Sequence, residues 1–133
     1  MMNARNWSTK EAVAQCLSER EKSDGQFYRG TLKRRQLLES ESSIVILGDV
    51  EFGAKVVAKG NIIILGTLYG SVHAGAAGDR NAFIIALSMQ PQRLVIGDIE
   101  AKRQLIYQDS LSINGPQIAV VDGKRIYLDP LIE

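Results

Sequence analysis

Few residues in this chain could do chemistry, and they stand far apart. His73 is the only histidine and Cys16 the only cysteine among 133 residues. A metal site needs several imidazole, thiolate or carboxylate ligands at close spacing, and no such set surrounds His73. A nucleophilic cysteine needs a base to hold it as thiolate. Nothing in the sequence brings the imidazole to Cys16, which reads as a small apolar contact. Asp49, Asp79 and Asp98 each follow a glycine. Carboxylates do acid–base work only when they converge in a cleft, whereas aspartate beside glycine is turn chemistry. The glycines at 70, 75 and 78 are not followed by the lysine of a phosphate-binding loop, and no strand–loop–helix frames them. The expectation is a protein with no catalytic residues, no metal and no cofactor, and therefore not an enzyme.

The strongest charge feature is Lys33-Arg34-Arg35, with Arg29 close by. Clustered cations gain free energy by displacing counterions from phosphates, which suits nucleic acid or anionic lipid. They can equally form a solvated edge balanced by Glu39 and Glu41, or meet an acidic protein surface, where charge sets orientation and on-rate. A formal net charge of +1 gives the chain no global pull toward nucleic acid, and none is expected as a partner.

The elements that must position these residues change character near residue 30. Ser8 and Glu11 make a capping box ahead of Ala12, Val13, Cys16 and Leu17, which fall on one apolar stripe. The spacing predicts a short helix over 7–22, ended by Ser23-Asp24-Gly25. From residue 43 the chain repeats itself. Ile44-Val45-Ile46-Leu47-Gly48 returns 18 residues later as Ile62-Ile63-Ile64-Leu65-Gly66. Carried onward, the same spacing pairs Val50 with Leu68, Val56 with Ala74, Ala58 with Ala76, Lys55 with His73, and Gly60-Asn61 with Gly78-Asp79. A period of three sides of about six residues is one coil of a parallel β-helix. Glycine or asparagine turns each corner, and aliphatic side chains stack between coils. Leu94-Val95-Ile96-Gly97-Asp98-Ile99 repeats the form of residues 45–50, and residues 82–87 supply a strand shifted in phase. Residues 89–92 read as looped out. Residues 117–121 and 125–128 flank Asp122-Gly123 as a closing hairpin that caps the last coil. The fold class expected is mainly β: a right-handed, three-sided parallel β-helix with a short N-terminal α-helix and a C-terminal capping hairpin. A β-sandwich has similar strand spacing, but would not carry an 18-residue register through its corners as well as its strands. The division expected is an N-terminal helix and linker over 1–29 and a β-helix domain over 30–133.

Hydrophobic residues make up 45% of the chain, enough for one packed core. The N-terminus has no apolar region of the signal-peptide kind, and runs such as residues 62–65 are too short to span a bilayer. The expected location is cytoplasmic. A β-helix also has a flat aliphatic flank on which a second copy could pair, with Phe52, Tyr69, Phe83 and Met89 as candidate contacts if exposed.

Several short pieces, in order, resemble one family. Gly48-Asp49-Val50-Glu51-Phe52-Gly53-Ala54, Ala58-Lys59-Gly60-Asn61-Ile62, Gly66-Thr67-Leu68-Tyr69-Gly70, His73-Ala74-Gly75-Ala76 and Gly78-Asp79 are similar to the C-terminal domain of the MinC family of septum inhibitors. Pro116-Gln117-Ile118-Ala119, Asp122-Gly123, Ile126 and Pro130-Leu131 resemble the family's closing segment. The resemblance covers about residues 30–133. It implies a homodimeric β-helix that binds the membrane-associated ATPase MinD, reaches the inner face of the membrane only through that partner, and helps to block FtsZ septa at wrong sites. It also implies a partner-binding site at Lys33, Arg34, Arg35, Gln36, Asp49 and Tyr69. The family's binding motif carries arginine, serine and glycine where Lys33, Arg34 and Arg35 stand. Gln36 is kept, and Tyr69 replaces an arginine. The family's FtsZ-directed N-terminal domain is larger than the 30 residues before the β-helix, so the expectation is a fragment or a stand-alone relative. Two other classes share stacked coils: self-assembling bactofilin-like scaffolds, and hexapeptide-repeat acyltransferases, which use a catalytic histidine and long projecting loops.

Overall fold

The computed structural model describes residues 26–101 and 115–131. The helix expected over 7–22, with Cys16 on it, lies outside the described residues. Within them the chain is built from eleven strands and no helix: β1 (Gln26–Arg29), β2 (Leu37–Ser40), β3 (Ile44–Leu47), β4 (Lys55–Ala58), β5 (Ile62–Leu68), β6 (Ser71–Ala74), β7 (Ile84–Met89), β8 (Arg93–Ile96), β9 (Ile99–Glu100), β10 (Gln117–Asp122) and β11 (Arg125–Pro130).

From β1 to β8 successive strands alternate between two sheets, which is what a coiling chain must do. The first sheet runs β1-β3-β5-β7-β10-β11 and the second β2-β4-β6-β8-β9. Pairing along β1-β3-β5-β7 and along β2-β4-β6-β8 is parallel throughout. A third side is reduced to parallel bridges, Leu32 to Val50 and Val50 to Leu68, continued by Leu68 against Met89. This is a three-sided parallel β-helix, and the parallel pairing excludes a sandwich of antiparallel sheets. The helix takes in Gln26–Arg29, which pairs with Ile44–Leu47, so the first coil begins ahead of residue 30.

The interior is a set of ladders with like residues stacked coil on coil. Ile44, Ile62 and Ile84 are each fully buried, as are Ile46, Ile64 and Ala86. Val56, Val72 and Leu94 face them from the second sheet, and Leu32, Val50, Leu68 and Met89 close the triangle. Burying each large aliphatic side chain contributes about 1.5–3 kcal/mol, which is why the strands carry β-branched residues at inward positions. A second apolar cluster, including Val45, Ile63, Ile85 and Ile118, lies on the other face of the first sheet.

The 18-residue register holds for Ile44 against Ile62 and for Leu37 against Lys55, then fails. After Leu68 the corner loses two residues, so Lys55 pairs with Ser71 and Val57 with His73. Gly70 makes the shortening possible: a Cβ there would stand 2.5 Å from the Ala54 carbonyl oxygen. The pairs expected from constant spacing, Val56 with Ala74 and Lys55 with His73, are therefore corrected to Val56 with Val72 and Val57 with His73. The next corner gains residues instead, around 76–81, so that β5 meets β7 as Ile62 against Ile84. The looped-out part is this corner and not residues 89–92, since Met89 is buried inside the third side. Residues 94–96 likewise belong to the second sheet, not to the first with residues 45–47.

Strand direction reverses at both C-terminal ends. β9 folds back on β8 through Gly97 and Asp98. β10 adds antiparallel to β7 and is followed by β11. The hairpin turn lies one residue beyond the expected Asp122-Gly123. Asp122 pairs with Arg125, and Gly123 (φ 70°) and Lys124 form the two-residue loop. Glycine first with positive φ suits the right-handed twist of paired strands.

Candidate partner-binding corner

The candidate residues cluster where the third side turns into the second sheet. In the first coil Leu32 is pinned inward, and residues 33–36 make a tight turn that leads into β2. The Gln36 backbone N–H donates to the Lys33 carbonyl at 2.9 Å, and the Lys33 N–H donates to Gln36 Oε1 at 2.7 Å. Gln36 thus closes the turn from both its backbone and its side chain. The second coil repeats the turn with residues 51–54, where the Ala54 N–H donates to the Glu51 carbonyl at 3.0 Å. The turns are tied together by Arg35 N–H to the Gly53 carbonyl at 3.0 Å and by Arg34 N–H to Glu51 Oε1 at 3.3 Å. In the third coil only Tyr69 and Gly70 remain. The Tyr69 N–H donates to the Val50 carbonyl at 2.8 Å. Gln92 of the fourth coil closes the edge by accepting from the Gly53 N–H at 3.2 Å.

Lys33, Glu51 and Tyr69 therefore stand one above another, each just after the buried residue of its coil. Lys33, Arg34, Arg35 and Gln36 are all exposed. Phe52 is 64% exposed and Tyr69 45% exposed, and aromatic side chains are among those that most often anchor an interface. Three ion pairs join described residues, Lys59 with Glu41, Arg80 with Asp98 and Arg93 with Glu100. None of them involves Lys33, Arg34 or Arg35.

Arg35 has φ of 71° and is the single non-glycine residue with positive φ among the described residues; Gly53, its counterpart one coil on, has φ of 88°. A side chain in the left-handed region costs about 1–2 kcal/mol. That is the physical reason a glycine would suit position 35, as it does position 53. Arg35→Gly will therefore raise the unfolding free energy by about 0.5–1 kcal/mol once the extra freedom of glycine in the unfolded chain is deducted. Urea denaturation checks this, and a loss of stability would show that the Arg35 side chain holds the corner together.

Asp49 lies apart from the others, on the far side of Val50, and its Oδ1 accepts the Thr67 N–H at 2.8 Å. It braces one coil against the next. The other groups considered for chemistry are also spoken for. His73 sits half-buried on the second sheet and its Nε2–H donates to the Gly97 carbonyl at 2.8 Å. Asp79 Oδ1 accepts the Asn81 N–H at 2.8 Å. Asp98 receives both Arg80 Nε and Nη2, at 2.6 and 2.8 Å, and the Arg80 hydrogen bonds hold its carboxyl well below the usual range, at about 2. Asp98 thus stays ionised at neutral pH, and its fork with Arg80 ties the enlarged corner to the β8–β9 turn. Among the described residues no cluster of His, Cys, Asp or Glu is arranged to hold a metal.

One surface feature escaped sequence reading. Leu47, Leu65 and Leu87, 37–44% exposed, make an outward stripe on β3, β5 and β7. Phe83 and Met89, considered as contacts for a second copy, are buried instead, at 1% and 3%. The leucines follow inward-facing isoleucine or alanine in each strand, a period-two signal that long runs of aliphatic residues conceal.

Residues 26–131 match the family described as Septum formation inhibitor MinC, C-terminal domain. The chain belongs to that family. A probable septum site-determining protein MinC of Agathobacter rectalis is 46% identical over 114 residues, covering 80% of this chain and 47% of the relative. The probable MinC of Aquifex aeolicus is 43% identical over 101 residues, covering 76% and 49%. The chain thus spans about half the length of the MinC relatives it matches. A solved MinC:MinD cell division protein complex from Aquifex aeolicus superposes with a TM-score of 0.73 at 38% identity, covering 82% of this chain and 87% of that one. MinC-type coils therefore account for the β-helix.

Proposed function

We propose that this MinC-type domain is a non-enzymatic adaptor in division-site selection, which binds a MinD-type ATPase through the corner formed by Lys33, Arg34, Arg35, Gln36 and Tyr69. The observation that carries this reading is the stacking of those residues on one rigid, exposed edge in a chain whose solved relative is a MinC:MinD complex. Asp49 takes part indirectly, by bracing the third side through Thr67. No helix among the described residues is long and apolar enough to cross a membrane. Arrival at the inner face of the membrane would then depend on the ATPase, and any effect on FtsZ on the assembled complex. The stripe of Leu47, Leu65 and Leu87 suits an isologous contact with a second copy, giving a homodimer that presents two such corners.

The test is co-sedimentation with a MinD-type ATPase on lipid vesicles, with ATP or ADP. Recruitment is expected only with ATP, and Lys33→Ala/Tyr69→Ala should weaken it about tenfold or more. Equal recruitment of wild type and variant would move the contact to another face. Filament formation by the chain alone, without nucleotide, would favour the scaffold reading instead.

A further inference from the structure

The sequence singled out the cations of the first coil, but the structure sets them against a side chain 18 positions further on. Arg34 and Phe52 are equivalent residues of consecutive turns, so their backbones lie about 4.8 Å apart. Gly53 leaves room above the second turn, and the Arg34 stem occupies it: a Cβ at Gly53 would stand 2.8 Å from Arg34 Cγ. The Arg34 stem therefore lies over the second turn, which also bears the exposed Phe52. Arg35, in the left-handed conformation, projects from the same turn. Gln36 is committed to closing the turn, whereas Arg34, Arg35 and Phe52 stand exposed beside Lys33 and Tyr69.

We infer that Arg34, Arg35 and Phe52 form one specificity patch, which selects a partner surface bearing carboxylates around an apolar notch that takes the Phe52 ring. This rests on the ATPase-binding reading and adds the chemistry of the surface recognised. Arginine and aromatic side chains on a rigid edge are the groups that dominate binding energy when a partner desolvates them. Cations with no ion-pair partner among the described residues bring no internal competition for that carboxylate. Two adjacent exposed arginines on one turn call for an acidic partner surface. Binding should also weaken as salt screens these charges.

The experiment measures affinity for the ATP-bound MinD-type ATPase at low and moderate salt. It compares wild type, Arg34→Ser/Arg35→Gly and Phe52→Ala. Arg35→Gly relieves strain and Phe52 is exposed, so all three should fold, which their circular dichroism and urea midpoints verify. Wild-type affinity is expected to fall about tenfold between roughly 50 and 300 mM NaCl, whereas the double variant starts weaker and falls only about two- to threefold. Phe52→Ala should lose about tenfold at both salts and keep the wild-type salt dependence. Wild-type binding matched by both variants would overturn the patch while leaving the ATPase reading intact. No binding by wild type at either salt would overturn both.

Discussion

Truncating Ile62 to alanine will lower the unfolding free energy by about 3–4 kcal/mol, the largest single effect expected from the core. Ile62 is fully buried and lies between Ile44 and Ile84 in the ladder of the first sheet. The coils cannot close over the missing atoms, because their separation is set by backbone hydrogen bonds on both sides. The Ile44 N–H donates to the Asn61 carbonyl at 2.9 Å and the Ile62 N–H to the Phe83 carbonyl at 3.0 Å. The cavity therefore persists and its cost adds to the lost burial. Each coil contacts only its neighbours, so the defect also weakens the coupling between the second and fourth coils. In a domain of this size the midpoint of thermal unfolding should fall by roughly 15–20 °C. Val57→Ala, on the half-buried outer face of the second sheet, should cost about 1 kcal/mol or less. If Ile62→Ala cost no more than Val57→Ala, the interior would not be the tightly packed stack described here.

Gly48→Ala will cost about 2–3 kcal/mol for a different reason. A Cβ on Gly48 would overlap the carbonyl of Gly30 in the coil before it, and a Cβ on Gly66 would overlap the carbonyl of Gly48. The obstacle is backbone, which cannot swing aside as a flexible side chain can, so the coils must part locally. Gly123→Ala is the comparison, since its site is open to a distance of 4 Å and only a φ of 70° stands against it. That change should cost about 1–2 kcal/mol. Urea denaturation of the two variants separates close approach from backbone strain, and equal losses would remove the steric argument for the stacked glycines.

Much of this architecture was legible in the sequence because like residues stack on like. The repeat of Ile44-Val45-Ile46-Leu47-Gly48 at residues 62–66 announces parallel coils, and the closing hairpin is visible in its turn residues. Register was legible only while the corners kept their length. Beyond Leu68 a corner loses two residues and the next gains several, and small or aliphatic residues stand at both the true and the apparent partners of Val56 and Ala58. A false register can then satisfy the same pattern. The candidate corner was found by family resemblance at Lys33, Arg34, Arg35, Gln36 and Tyr69. The separate place of Asp49 and the approach of the Arg34 stem to Gly53 depend on which residues stack across coils, and that is fixed by backbone hydrogen bonds no local pattern records. The leucine stripe was hidden for a related reason: a strand with apolar residues on both faces shows no alternation.

The reversal of strand direction at β9 and β10 bears on how this molecule can assemble. A parallel stack has no intrinsic length, because its last rung offers the next one the same template that it received. Here β11 stands as the outermost rung of the first sheet, antiparallel to β10, with exposed Arg125 at one end and Pro130, which lacks an N–H, at the other. Charge and proline on an edge strand discourage addition of a further strand. The hairpin acts as a terminator at this end of the first sheet and so gives the stack a polarity.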